Sequence, residues 1–265
     1  MREWAERYPT LYAAKAFDDT LFNTLALATA FSGPWLDRGQ QRMANQVALW
    51  CFGLDWLVDY VASSEEEAEA VAARCLAVAS GETEAHDDLT AFLAAIRDEL
   101  AATPSFTTLG PMWRDELGRM LEAMVREHQW KADGARRPSL KEYLRNADNL
   151  GFSFVFAAHW IHTGGTPSAV DIDVVRMASW AVQRVIRLLN DLATYQRDLQ
   201  WGDLNALLLG TDRTEVEREV EHLADDARRR ISQVRRGHPA LADYLERQME
   251  FCGGFYGVSD FWGAL

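Results

Sequence analysis

Two short stretches of the sequence place oxygen-bearing side chains four residues apart, the interval that brings them onto one face of a helix. The first is Leu54-Asp55-Trp56-Leu57-Val58-Asp59, at the end of the apolar run 47–53. Two carboxylates set among large apolar residues are costly to bury as ions unless a cation compensates them. Magnesium, a hard cation held through carboxylates, waters and substrate phosphates, meets that need. The competing reading is that the helix emerges into solvent here and the aspartates are simply wet. In the second stretch, 187–198, Asn190, Thr194 and Asp198 put an amide oxygen, a hydroxyl and a carboxylate in one stripe over two turns. Asn and Thr are mediocre in helix interiors, and helical sequence continues on both sides, so capping does not account for them. Three hard oxygen donors suit one magnesium ion, while a polar face with incidental spacing is the alternative.

The elements that must carry these stripes read as helices throughout. All seven prolines, Pro9, Pro34, Pro104, Pro111, Pro138, Pro167 and Pro239, punctuate long segments rich in Ala, Leu, Glu and Arg. Ser64 with Glu67, Ser139 with Glu142 and Thr214 with Glu217 have the spacing of capping boxes. No alternating strand pattern of any length is present. The pattern predicts helices near 10–32, 38–62, 65–80, 84–103, 111–134, 139–163, 168–201, 213–235 and 239–263, with the clearest turn at Gly164-Gly165-Thr166-Pro167-Ser168. The acidic run at 65–69 reads as the solvated first turn of a helix.

The second stretch resembles the Asn-Asp-x-x-Ser/Thr-x-x-x-Glu/Asp motif of class I terpene synthases, down to the basic Arg197 before the final acid. The first is similar to that family's aspartate-rich motif, Asp-Asp-x-x-Asp, with Trp56 in place of the second aspartate. A third segment, Arg145-Asn146-Ala147-Asp148-Asn149, resembles the family's diphosphate-sensing arginine, linker and effector, about 45 residues before the second motif. The order of the three segments matches the family, and the surroundings look most like small bacterial diterpene synthases. The resemblance implies an all-α fold, one isoprenoid-synthase helical bundle over 1–265 around a central apolar cavity. It implies magnesium, three ions with diphosphate bound, clamped between Asp55 and Asp59 on one side and Asn190, Thr194 and Asp198 on the other. Arg145 would contact the diphosphate, Asp148 would act as linker, and the backbone carbonyl of Asn149 would face the departing allylic carbon. Arg187 and Arg197 would add donors. The family's C-terminal Arg-Tyr pair has no counterpart in the stretch 255–265.

Carbocation chemistry also needs a dry interior lined by aromatic faces. Ala48 and Phe52 precede Asp55 on its side of the helix, and Phe152, Phe156 and Trp160 follow the effector segment, so these five are expected to line the cavity. His159 and His162 lack a convergent third ligand, which discounts zinc. Cys51, Cys75 and Cys252 have no metal-ligand spacing and read as reduced, buried thiols. No Gly-rich phosphate loop, Gly-x-Ser-x-Gly elbow or Asp-x-Asp-Asp motif is present, the last absence arguing against protonation-initiated cyclisation.

A formal net charge of -13 with no basic patch excludes a nucleic-acid partner, and no apolar run approaches a membrane span. The N-terminal residues lack the apolar core of a secretory signal, so a cytoplasmic location is expected. The expected activity is ionisation of an allylic prenyl diphosphate, with a C20 geranylgeranyl or labdane-type (copalyl) diphosphate favoured over farnesyl diphosphate. A prenyl-elongating or head-to-head synthase and a non-catalytic helical scaffold are the competing functions. Helical cyclases of this type often pair, which leaves a homodimer open.

Overall fold

The computed structural model describes residues 1–133, 137–164 and 169–262. Eleven α-helices make up its framework: α1 (Arg2–Arg7), α2 (Asp19–Ser32), α3 (Arg38–Trp56), α4 (Glu65–Ser80), α5 (Asp88–Ala101), α6 (Phe106–Ala132), α7 (Leu140–Arg145), α8 (Phe152–Thr163), α9 (Ala169–Trp201), α10 (Arg213–Val234) and α11 (Pro239–Phe255). No strand occurs among the described residues, and none of their helices is long and apolar enough to cross a membrane.

Side chains that satisfy exposed backbone donors set the helix starts. Asp18 accepts from the amides of Thr20 and Leu21, so α2 begins nine residues later than its apolar pattern suggests. Asp37 with Gln40, Asp87 with Thr90 and Ser139 with Glu142 form reciprocal boxes. Ser64 caps α4 as expected, whereas α10 is capped by Asp212 on the amide of Glu215, not by Thr214. Pro239 opens α11, where its missing N–H costs nothing. The helix expected to begin at Pro111 starts earlier, at Phe106, so Pro111 lies inside α6. It is near enough to the start that the lost hydrogen bond is tolerated while Leu109, Met112 and Trp113 bury their side chains.

The expected helix at 139–163 is broken. Ala147–Leu150 form a 3-10 turn, and Gly151, at φ 73°, starts α8 in a new direction. A Cβ at Gly151 would come within 2.8 Å of the Met120 sulfur and 3.3 Å of the Cys51 sulfur, so both backbone angle and space demand glycine. The expected helix at 38–62 also changes character, α3 giving way to a π-helical turn at Leu57–Val61. Of the turn expected at Gly164–Ser168, residues 165–168 lie outside the described residues.

The core forms where α3 packs on α8, α6 on α4 and α8, and α11 on α2 and α9. Trp50, Trp113 and Phe154 anchor it through tilted and edge-on contacts, and the Trp50 indole N–H donates to the Leu89 carbonyl at 2.9 Å. The three cysteines are buried and unbridged.

Candidate active site

Helices α2, α3, α6, α8, α9 and α11 surround a cavity of about 210 Å³. Its interior is apolar, with Ala48 and Phe52 from α3, Met120 and Met124 from α6, and Phe152 and Phe156 from α8. Its mouth is charged. Asp55, Asp59, Glu127, Asp198, Asp203 and Asp260 supply six carboxylates there, against three cations, Lys131, Arg187 and Arg197.

The π-helical turn carries Asp59 to the mouth while Asp55 stays on the last turn of α3. Such widened turns are concentrated at functional sites, where they re-aim side chains. Asp59 receives the Lys131 ammonium at 2.8 Å, and the same ammonium lies 2.8 Å from Asp203, which also accepts from the Tyr60 hydroxyl at 3.2 Å. Burial alone would lower the Lys131 pKa, but Asp59, Glu127 and Asp203 outweigh it and hold the ammonium charged. Asp55 makes no hydrogen bond or ion pair with a described residue. Burial, and then the charge of Asp59, push its carboxyl well above the usual range.

Across the mouth, Asn190 and Asp198 line the cavity. The Thr194 hydroxyl donates to Asp198 at 2.6 Å, and the Asn205 amide donates to the same carboxylate oxygen at 2.8 Å. Burial raises the Asp198 pKa and these two donors lower it, the balance remaining upward. Tyr256, just past α11, lines the cavity with Asn190, and burial raises its hydroxyl pKa. Arg197 pairs with Asp260 at 2.6 Å, and Asp260 accepts from the Trp262 amide at 2.8 Å. That contact brings Phe261 and Trp262 over the cavity against Phe52.

Arg187 reaches the cavity wall, but its donors are largely spent. Its Nε donates to the Tyr143 hydroxyl at 2.7 Å and one terminal nitrogen donates to Glu127 at 3.1 Å. Tyr143 in turn donates to Asp191 at 3.0 Å, and the Asn149 side chain donates to Glu127. Burial lifts Asp191 to about 7 despite Arg187 and the Ala206 amide. One hydrogen-bonded chain therefore joins the Asn149 segment to the helix that bears the second stripe.

The structure thus gathers Asp55, Asp59, Asn190, Asp198, Arg187, Arg197, Asn149, Ala48, Phe52, Phe152 and Phe156 around one cavity. Four expected residues lie elsewhere. Arg145 is exposed and outside the lining, because Tyr143 and Leu144 occupy the buried face of the short α7. Trp160 is fully buried in the core, because eight residues beyond Phe152 is about 80° of rotation away from the cavity face. Asp148 sits behind the wall, 2.6 Å from an Arg119 nitrogen and accepting from Gln183 at 2.8 Å. Thr194 is buried beneath the surface and acts on Asp198. Glu127, Lys131, Asp203, Tyr256 and Asp260 escaped the sequence reading, because each comes from a segment distant in the chain from the motif it meets.

No three His, Cys, Asp or Glu side chains among the described residues converge tightly enough to hold a metal unaided. The donor set nevertheless fits a hard divalent cation. It combines carboxylate and amide oxygens with an excess of acid, and Asp55, though within the influence of Lys131, has no direct ion-pair partner among the described residues.

Residues 46–230 match the model of terpene synthase family 2, C-terminal metal binding. The chain belongs to the terpene synthase family. It is 28% identical over 276 aligned residues to an ent-pimara-9(11),15-diene synthase from Streptomyces sp. (strain KO-3988), covering 100% of this chain and 90% of that one. The fold is similar to that of linalool/nerolidol synthase from Streptomyces clavuligerus in complex with 2-fluorogeranyl diphosphate (TM-score 0.75, 18% identity, 96% of this chain and 94% of that one). Germacradien-4-ol synthase from Streptomyces citricolor is also similar (TM-score 0.72, 13% identity, 96% and 91%). The chain is therefore a class I terpene synthase, with the all-α fold and metal-binding domain of that family.

Proposed function

We propose that residues 1–265 act as one cyclase domain that ionises a C20 allylic diphosphate, geranylgeranyl or labdane-type, with magnesium as the metal. The observation that carries the reading is the unpartnered Asp55 carboxylate facing the Asn190 and Asp198 stripe across the mouth of an apolar cavity. The C20 preference is supported by the diterpene named for the 28% identical relative. Asp55, Asp59, Asn190 and Asp198 would hold the ions, three with diphosphate in place, and Thr194 would orient Asp198. Magnesium, when bound, supplies Lewis-acid stabilisation of the leaving diphosphate.

The remaining work falls to the chain itself. Arg197 offers donors to diphosphate oxygens at the mouth, Lys131 holds Asp59 and Asp203 beside it, and Arg187 fixes Glu127 and Tyr143 in the wall beneath them. Below, Phe52, Phe152 and Phe156 present ring faces to the cation, each contributing about 0.5–2 kcal/mol, and the Phe261 and Trp262 cover excludes bulk water. No nucleophilic side chain takes part.

Incubation with geranylgeranyl, copalyl and farnesyl diphosphate, with magnesium or a chelator, tests the proposal through diphosphate release and product mass spectra. A cyclised C20 product that depends on magnesium is expected. Elongated diphosphates, or no diphosphate release from any substrate, would refute it.

A further inference from the structure

One wall of the cavity is unlike the others. Tyr244, Gln248 and Cys252 of α11, and Tyr256 at its C-cap, recur every four residues and all four line the cavity. They form a more polar stripe in a lining that also holds the methionines of α6 and the phenylalanines of α8. Tyr256 shares the lining with Asn190 and the charged groups of the mouth.

Gln248 is held at one end only. The Ser32 hydroxyl, shared between the Ala28 carbonyl at 2.7 Å and the Gln248 side-chain oxygen at 2.5 Å, meets that oxygen, which leaves the amino group facing the Cys252 sulfur at 3.7 Å, a weak acceptor for one of two N–H bonds. One turn earlier, the Tyr244 ring is clamped by stacking on His159, with ring centres 4.0 Å apart, and by a tilted contact with Phe156. Burial is the sole influence on its hydroxyl, which makes no hydrogen bond with a described residue. Thr29 lines the cavity from α2, and its hydroxyl donates back to the Leu25 carbonyl, so its oxygen lone pairs stay available. Polar atoms lining an apolar cavity are left without partners unless water enters it. One water serves two or three such atoms at once.

We propose that Gln248, Tyr244 and Thr29 hold a water molecule inside the cavity that captures the terminal carbocation, making the product a terpene alcohol. This rests on the cyclase reading above. The water accepts an N–H of Gln248 and donates to the oxygen of Tyr244 or Thr29, which leaves one lone pair facing the substrate. That lone pair forms the C–O bond to the cationic carbon. The resulting oxonium loses one proton, the O–H electron pair staying on oxygen, and the proton passes to the diphosphate anion released in the same turnover. The net change is prenyl diphosphate plus water giving alcohol plus protonated diphosphate. The clamped Tyr244 ring and the Ser32 contact fix the water's position, so capture is confined to the cation whose charge lies beside α11.

The experiment is turnover of the full chain in water enriched in oxygen-18, using whichever prenyl diphosphate supports diphosphate release, with product analysis by mass spectrometry. A cyclised alcohol carrying the heavy oxygen is expected as the main product. In Gln248→Leu the ratio of alcohol to hydrocarbon is expected to fall by about tenfold. Tyr244→Phe and Thr29→Val should move it in the same direction. The ratio does not depend on how much folded enzyme each variant yields, so a poorly folding variant still reports. Diphosphate release with hydrocarbon as the wild-type product overturns the water site and leaves the cyclase reading standing. An alcohol whose ratio none of the three substitutions moves also overturns it. Absence of diphosphate release from every substrate overturns the cyclase reading, and this inference with it.

Discussion

Replacing Lys131 with glutamine separates the charge that the protein supplies at the mouth from the charge that a metal supplies. The Lys131 ammonium lies 2.8 Å from both Asp59 and Asp203, and the three side chains are 18, 23 and 17% exposed. Breaking a fully buried pair costs about 3–5 kcal/mol, and an exposed pair is worth at most about 1 kcal/mol. The partial exposure here puts the cost at about 2 kcal/mol, because the substitution leaves Asp55, Asp59 and Asp203 facing one another without the ammonium. For a chain of this size, that lowers the melting temperature by about 4–8 °C in the presence of a chelator. The abandoned carboxylates are oxygen ligands, so magnesium with inorganic diphosphate stabilises Lys131→Gln by more degrees than it stabilises the wild type. Scanning calorimetry of both proteins, with chelator and with magnesium plus diphosphate, gives the four melting temperatures required. Equal increments in the two proteins, or equal melting temperatures in chelator, would show that Lys131 and the metal do not share a site.

Two further perturbations test the surroundings. Burial, reinforced by His162, lowers the pKa of His159 to about 3, below its unfolded value of 6.5, so the stability it contributes is complete above pH 6.5 and is lost as pH falls toward 3. Between pH 6.5 and 5 the wild type should lose about 2 kcal/mol that His159→Leu retains, measured by urea unfolding at each pH; parallel pH profiles would contradict this. Asp260→Ala removes the carboxylate that ties Arg197 to the segment over the cavity, so amide hydrogen exchange at 258–262 should accelerate by about tenfold. Unchanged exchange would show that the aromatic contacts alone hold the segment.

Much of the fold was legible because helix starts are local chemistry. A capping side chain and the amide it satisfies lie two or three residues apart, which is why the starts of α3, α4 and α7 fell within two residues of expectation. The misses came from competition between local signals and packing. Pro111 reads as the start of a helix, yet the buried side chains around it extend α6 back to Phe106. The stretch 139–163 reads as one helix, and its break depends on Gly151 approaching Met120, a residue 31 positions earlier that no local pattern reveals.

The site divides along the same line. Asp55 with Asp59 and Asn190 with Asp198 announced themselves because a period of four is visible within one helix. Lys131 did not, since a basic residue in the last turn of a helix is already explained by the helix dipole, and its partners lie 72 residues away on one side and beyond α9 on the other. Arg145 and Trp160 show the complementary error, in which a correct position along the chain says nothing about rotation. Tyr143 and Leu144 claim the inner face of α7, and Phe152 and Phe156 claim that of α8, so their neighbours in sequence turn away. The α11 stripe lies between these cases. Its period of four is present in the sequence, but a tyrosine, a glutamine, a cysteine and a tyrosine suggest no shared chemistry until they line one cavity with the apolar side chains of α3, α6 and α8. A polar side chain carries functional information in proportion to how little its surroundings resemble it, and those surroundings are what the fold adds.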